Sequence, residues 1–215
     1  ARKLPEVSYD EMLEFASLGA KVLHNRSVEM AKKYGVQLVV LSSLTRAEGT
    51  VVKEDAKVER MLVSGVAADK NTARISVMGV KNEPGIAFKI FNLLARNNIN
   101  VDIIIQSVGR EDRKDISFTV ARNDLQEAMT LLNENKDAIT AREITCEVGV
   151  AKVSIIGAGM LSNPGVAAKM FEALYSANIN IKMIATSEIR ITVLIDEADA
   201  NRAVRTVHDA FDMGD

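Results

Sequence analysis

Two stretches of the chain share one rhythm of apolar and polar positions. "NEPGIAFKIFNLLARNNINVDIIIQS", from Asn82 to Ser107, sets apolar residues three and four apart after a Pro-Gly pair and then turns to a β-branched run after "NIN". "SNPGVAAKMFEALYSANINIKMIATS", from Ser162 to Ser187, does the same, and eleven of the 24 aligned positions between Pro84 and Ser107 are identical. The first spacing predicts an amphipathic helix and the second a strand. Each repeat thus reads as strand, Pro-Gly turn, helix, strand, short polar turn, strand and second helix. This is β-α-β-β-α, one strand short of a ferredoxin-like unit.

The first repeat has predicted strands at 73–79, 101–107 and 115–121, with helices at 85–97 and 124–135, and "REITCEVGV" supplies its fourth strand. The second has strands at 152–157, 181–186 and 189–195 and helices at 165–177 and 198–211, with no fourth strand after them. One alternating segment, "VERMLVSGVAA" at Val58–Ala68, is left without a role in the first repeat. It is expected to complete the second, making a discontinuous domain of 58–68 plus 150–212 around a first domain of 69–149.

The opening is different. "SYDE" at Ser8–Glu11 matches a capping box, so a helix is expected to about Leu18. A second helix follows from Arg26 to Lys33 and Gly35 ends it; "VQLVVLSS" reads as a buried strand. That strand has no evident partners nearby, which suggests a chain beginning part-way through a domain. The polar run Thr45–Lys57 is read as a linker.

Composition narrows the chemistry. A net charge of -2, from 27 basic and 29 acidic residues, offers no positive field for DNA or anionic lipid, and 4% aromatic residues with no Trp give no stacking platform for single strands. Neither a membrane-spanning run nor a signal region is evident, so a cytoplasmic location is expected. Cys146 is the single cysteine and is expected to be buried and inert; His24 and His208 have no metal-ligand spacing. No phosphate-binding loop, nucleophile elbow or zinc-binding helix motif is present. "IIGAGM" at Ile155–Met160 gives G-x-G but lacks the third glycine, and "REDRKD" at Arg110–Asp115 falls in a predicted hairpin turn.

The Pro-Gly turns are the remaining candidates. Proline suits the first helical position, and a following glycine lets a ligand approach free N–H groups where the helix dipole favours an anion. Such a turn also serves as a plain strand-to-helix connection. Its duplication, at a fixed distance from "NIN" and a strand ending in Ser, points to a constraint linking turn and strand. Asp102 and Gln106 in one unit, and Ser187 and Glu188 in the other, offer acceptors for an ammonium group. Carboxylate at the turn and ammonium at the strand describe a free amino acid.

These motifs resemble a known family. The repeats are similar to ACT domains, and "SNPGVAAKMFEAL" with "NINIKMIATSEIRITVLI" closely resembles the second ACT domain of aspartate kinases. "SYDEMLEFASLGAKVLHNRSVEMAKKYGVQLVV" resembles the end of their catalytic domain, although Asn25 stands where the family usually has Pro, and "EGT" at Glu48–Thr50 resembles the exit to the regulatory region. The family's Lys-Phe-Gly-Gly phosphate-binding segment is missing.

The resemblance implies an α+β fold of two ferredoxin-like ACT domains, the first inserted into the second, preceded at 1–50 by the tail of a kinase domain. It implies a regulatory part or subunit, without catalytic residues, metal site or cofactor of its own; ATP and Mg would belong to the catalytic part that phosphorylates aspartate. Carried over by motif, the effector contacts would be Asn82, Gly85, Ala87, Asp102 and Gln106 in one unit and Asn178, Asn180, Ile181, Ser187 and Glu188 in the other. Threonine or lysine would bind between ACT units of a homodimer and inhibit the kinase. A free-standing ACT sensor or an empty dimerisation module is the alternative.

Overall fold

The computed structural model describes residues 2–20, 22–45, 47–54, 62–107 and 112–214, apart from the side chains of 161 and 162. They divide into two units, one formed by 1–70 with 152–215 and the other by 71–151.

The opening segment runs β1 (Glu6–Ser8), α1 (Tyr9–Ser17), α2 (Asn25–Tyr34), β2 (Leu38–Val40) and β3 (Thr50–Lys53). Ser8 and Glu11 form the capping box of α1. His24 caps α2 by accepting from the Arg26 N–H, and Gly35 ends it at φ 63°, a left-handed conformation that glycine enters without a Cβ penalty. The sheet order is β1-β3-β2, with β3 parallel to β1 and antiparallel to β2. Two expectations change here. The strand at 36–43 shortens to β2 and lies at the sheet edge, with Val39 52% exposed rather than buried. Its missing partner is β3, drawn from the supposed linker: Val52 is fully buried and the Thr50 hydroxyl donates to the Leu4 carbonyl at 2.7 Å.

β4 (Gly65–Lys81) takes up the last four residues of the leftover segment and runs on without interruption into the first strand of repeat one, while 62–64 are not strand. Residues 58–61 of that expected strand lie outside the described residues. α3 (Ile86–Arg96), β5 (Val101–Gln106), β6 (Arg113–Ala121) and α4 (Leu125–Glu134) follow. β7 (Glu143–Ile156) joins "REITCEVGV" to the first strand of repeat two without interruption. α5 (Val166–Ser176), β8 (Met183–Thr186), β9 (Arg190–Asp196) and α6 (Ala200–Ala210) complete the chain.

In the 71–151 unit the strand order is β5-β6-β4-β7. Ala73, Ile75 and Val77 of β4 and Ile116, Phe118 and Val120 of β6 are every second residue and pack on Ile86, Ile90 and Leu94 of α3 and Ala128 and Leu132 of α4. Phe91 meets Phe118 edge-on at 5.4 Å. β7 is the edge strand of this unit, and residues 143–149 include no fully buried position. Cys146 lies there and is exposed, contrary to the buried thiol expected of a lone cysteine.

In the other unit, residues 65–70 of β4 and 152–156 of β7 join β9 and β8 in the order β4-β7-β9-β8. Val153, Ile155, Ile191, Val193 and Ile195 face Met170 and Leu174 of α5 and Ala203 and Val207 of α6. The two cores therefore repeat position by position. No helix among the described residues is long and apolar enough to cross a membrane.

Candidate functional site

Gly85 and Gly165 are the N-caps of α3 and α5, at φ 92° and 95°. A Cβ at either would meet nothing within 4 Å, so backbone conformation, not crowding, calls for glycine here, and the space over the turn is open. Pro84 and Pro164 stand one residue before the cap rather than at the first helical position, because the left-handed glycine takes up the turn that a proline start would have made. Neither helix has a side-chain cap. The first intrahelical bonds run from the Lys89 N–H to the Gly85 carbonyl (2.9 Å) and from Lys169 to Gly165 (3.0 Å). The earlier N–H groups of each first turn have no intrahelical acceptor and form a positive end suited to a carboxylate.

Strand register shows which expected residues gather there. Lys81 pairs with Arg113 and Gln106 with Ile116, and the Asn82 N–H donates to the Asp112 carbonyl at 2.8 Å. Asn82, Gly85, Ala87 and Gln106 thus share one end of the first unit's sheet, with Ala87 half-buried and Gln106 exposed. Asp102 does not join them. It sits in the register irregularity between Val101 and Ile104, roughly 13 Å along β5 from Gln106 at about 3.3 Å per residue.

The second unit divides in the same way. Gly157 N–H donates to the Ile189 carbonyl at 3.0 Å and Ser187 N–H to the Arg190 carbonyl at 2.8 Å, so Ser187 and Glu188 lie on the turn at the end where β7 leads into α5. Asn178, left-handed at φ 53°, Asn180 and Ile181 lie at the other end, where α5 leads into β8. Ile181 packs on the core while Asn178 and Asn180 are exposed. Thr186, paired with Ile191, takes the place that Gln106 takes opposite Ile116. Lys182, the counterpart of Asp102 in the repeat, ion-pairs with Asp196 at 3.0 Å.

Other paired features escaped sequence reasoning. Ser76 and Ser117 join hydroxyls across β4 and β6 at 2.9 Å, and Ser154 and Thr192 do so across β7 and β9 at 2.8 Å. A serine one residue after an apolar residue in "IS" at 75–76 and "VS" at 153–154 was the available signal. Gly157, the first glycine of the G-x-G, is needed for close backbone approach, since a Cβ would lie 2.7 Å from the Leu62 carbonyl oxygen.

Glu11 does more than close the capping box read from the sequence. Its fully buried carboxylate accepts at Oε2 from the Ser8 N–H (3.2 Å) and hydroxyl (2.9 Å), and at Oε1 from the Ser64 hydroxyl (2.5 Å) and the Ala158 N–H (3.2 Å). Among the described residues no cluster of three or more His, Cys, Asp or Glu side chains could hold a metal.

A family model described as ACT domain matches residues 75–135 and 153–211. An aspartokinase of Bacillus sp. strain MGA3 is 48% identical over 214 residues, 99% of this chain and 52% of that protein. The chain therefore spans about half the length of the curated relatives it matches. The crystal structure of the ligand-free regulatory subunit of aspartate kinase from Thermus thermophilus is 45% identical with a TM-score of 0.66, covering 70% of this chain and 99% of that one. E. coli aspartokinase III, in complex with lysine and aspartate in its T-state, is 26% identical with a TM-score of 0.76, covering 98% of this chain and 46% of that one.

Proposed function

Because the chain belongs to the aspartate kinase family, as a regulatory region with two ACT domains, we propose that it binds an end-product amino acid and confers feedback inhibition on the kinase. The second ACT domain is discontinuous in this reading, taking its extra strand from the residues before the first. The reaction controlled is transfer of the ATP γ-phosphoryl group to the aspartate side-chain carboxylate. ATP and Mg are held by the catalytic part.

The observation that carries the reading is the duplicated glycine-capped helix start, uncapped by any side chain and open above the turn. An α-carboxylate sits on the first-turn N–H groups of α3 or α5. Gln106, or the exposed turn at Ser187 and Glu188, receives the ammonium group. Asn178, Asn180, Ile181 and Asp102 lie at the opposite sheet end and would complete a site on an ACT unit of a second copy in a homodimer. Threonine, lysine or both are the effectors, and a lysine complex of a relative favours including lysine.

The opening segment carries a run of exposed apolar side chains, Tyr34, Val39, Leu41 and Leu44 among them, the last 92% exposed. The catalytic part of the kinase covers them, and the assembly is cytoplasmic. An effector inhibits only by its differential affinity for two arrangements of the enzyme.

Calorimetric titration with threonine, lysine and both, repeated on Gln106→Ala and Asn180→Ala, tests this. Saturable binding, lost in both variants, is the expected result. No heat with either amino acid, or binding that ignores both substitutions, overturns it.

A further inference from the structure

The two repeats satisfy the same turn differently. Gly79 and Gly157 correspond in the repeat: Gly79 lies in the register irregularity of β4 between Val77 and Val80, and Gly157 directly follows the end of β7. In the first repeat the turn is closed from within: Asp115 Oδ1 accepts from the Gly79 N–H at 2.7 Å, and Arg113 donates to the Gly79 and Thr140 carbonyls. In the second repeat the Gly157 N–H is also met from within, by the Ile189 carbonyl, but further partners come from α1, outside the repeat. Glu11 Oε1 takes the Ala158 N–H, and Glu14 Oε2 pairs with Arg190 Nη1 at 3.0 Å. Ala158 opens the loop that leads to the Gly165 helix start, and Arg190 closes the turn that holds Ser187 and Glu188. The Gly157 N–H to Ile189 carbonyl bond ties those two loops to each other.

α1 is itself seated firmly. Phe15 lies against Gly65, where a Cβ would come within 2.6 Å of its ring; Leu18 packs on Ala67 and Ile156; and a Cβ at Gly19 would lie 2.7 Å from the Ala68 carbonyl oxygen. Movement of either loop is therefore delivered to one short, well-held helix.

We propose that Glu11, Glu14 and Arg190 are positioning residues that couple effector binding at the second ACT domain to the opening segment, and through it to the kinase. The proposal rests on the function above and adds the route. A carboxylate arriving at the α5 start, or an ammonium group at Ser187 and Glu188, shifts the loop that carries Ala158 or Arg190. Glu11 and Glu14 then carry the shift to α1. In the first ACT domain, among the described residues, Asp115 and Arg113 meet the corresponding glycine from within the unit.

The test uses the complete enzyme with its catalytic part. Glu14→Arg, Arg190→Glu and the double reversal are assayed for kinase activity with and without threonine or lysine, for effector binding by calorimetry, and for thermal midpoint. Both groups are only partly buried, and Glu14→Gln supplies the same readouts if a reversal impairs folding. Each single variant should bind the effector at least as tightly as wild type, while activity remaining at saturating effector rises about fivefold or more, the low end of ordinary coupling energies. The double reversal should restore inhibition, which a loss of packing alone would not do. Variants that bind and are inhibited like wild type overturn the coupling role and leave the proposed function standing. A wild-type enzyme that neither amino acid binds or inhibits overturns that function and the coupling role with it.

Discussion

Glu11→Gln separates two roles that a capping-box glutamate can have. A capping box accepts Glu or Gln at this position and their helix propensities are nearly equal, so a residue that only caps α1 should tolerate the change. Here each carboxylate oxygen accepts a backbone N–H, Oε2 from Ser8 and Oε1 from Ala158, both at 3.2 Å. Hydroxyls of Ser8 and Ser64 can rotate to suit an amide; the backbone donors cannot. Whichever way the amide is flipped, its NH2 faces one of them. A buried donor left without an acceptor costs about 1–3 kcal/mol, and bonds to a charged acceptor contribute about 1.5–3 kcal/mol, so Glu11→Gln should destabilise by about 2–4 kcal/mol. Glu11→Ala should cost somewhat more, about 2–6 kcal/mol, since both backbone N–H donors then lose their acceptor at about 1–3 kcal/mol each. Urea unfolding at equilibrium measures both, and an unchanged m-value confirms that stability alone has shifted. A Gln variant within about 0.5 kcal/mol of wild type, the range of ordinary surface substitutions, would refute the four-donor arrangement.

Gly85→Ala and Gly165→Ala should each cost about 1–2 kcal/mol in thermal or chemical unfolding, from left-handed strain alone, since a Cβ there meets nothing; a larger loss would reveal a clash. Ser154→Ala or Thr192→Val alone should cost about 1–3 kcal/mol by orphaning the other buried hydroxyl, whereas the double variant should cost less than the sum, a non-additivity that a double-mutant cycle reads directly. The hydrogen bond that the Lys32 ammonium donates to the Asp10 carboxylate holds its pKa above the ordinary lysine value. A raised lysine pKa gives stability that is fully present below the unfolded value and lost as pH rises through the folded one, so this pair is intact at neutral pH and fades only in the alkaline range. It is largely exposed, and Asp10→Asn should change neutral-pH unfolding by less than ~1 kcal/mol, with that difference vanishing above the lysine range.

The helices were legible because their apolar stripes are long and regular: α3 and α5 each begin and end within two residues of the expected bounds. β3 was not, because four residues of "TVVK" amid polar neighbours carry too short a pattern to stand out from a linker. The continuity of β4 and β7 was hidden for the opposite reason. Reading by repeats divided the chain at 68 and 149, within two residues of the division between the compact units, and so split each of two strands that run on through it. Within the candidate site, the Pro-Gly turns were visible but the end of the sheet at which each side chain lies was not. Asp102 and Gln106 are near in sequence, yet strand rise carries them to opposite ends. Glu11 was read only as a local cap, since its other partners lie 53 and 147 residues away and nothing in "SYDE" announces them.

Duplication explains what the two units share, and the few places where they diverge explain why both are needed. The glycine-capped helix start, the left-handed asparagine after each helix and the cross-strand hydroxyl pair are common to both, so both have the backbone for the same ligand chemistry. They part at the Asp102 and Lys182 positions, where opposite charges stand, and near Gly79 and Gly157, where Asp115 of the same unit meets the first and Glu11 of α1 meets the residue after the second. Glu11 and Glu14 of α1 tie the second unit's loops to the opening segment. Under the proposed function, these contacts are the place where the second unit's loops meet the opening segment.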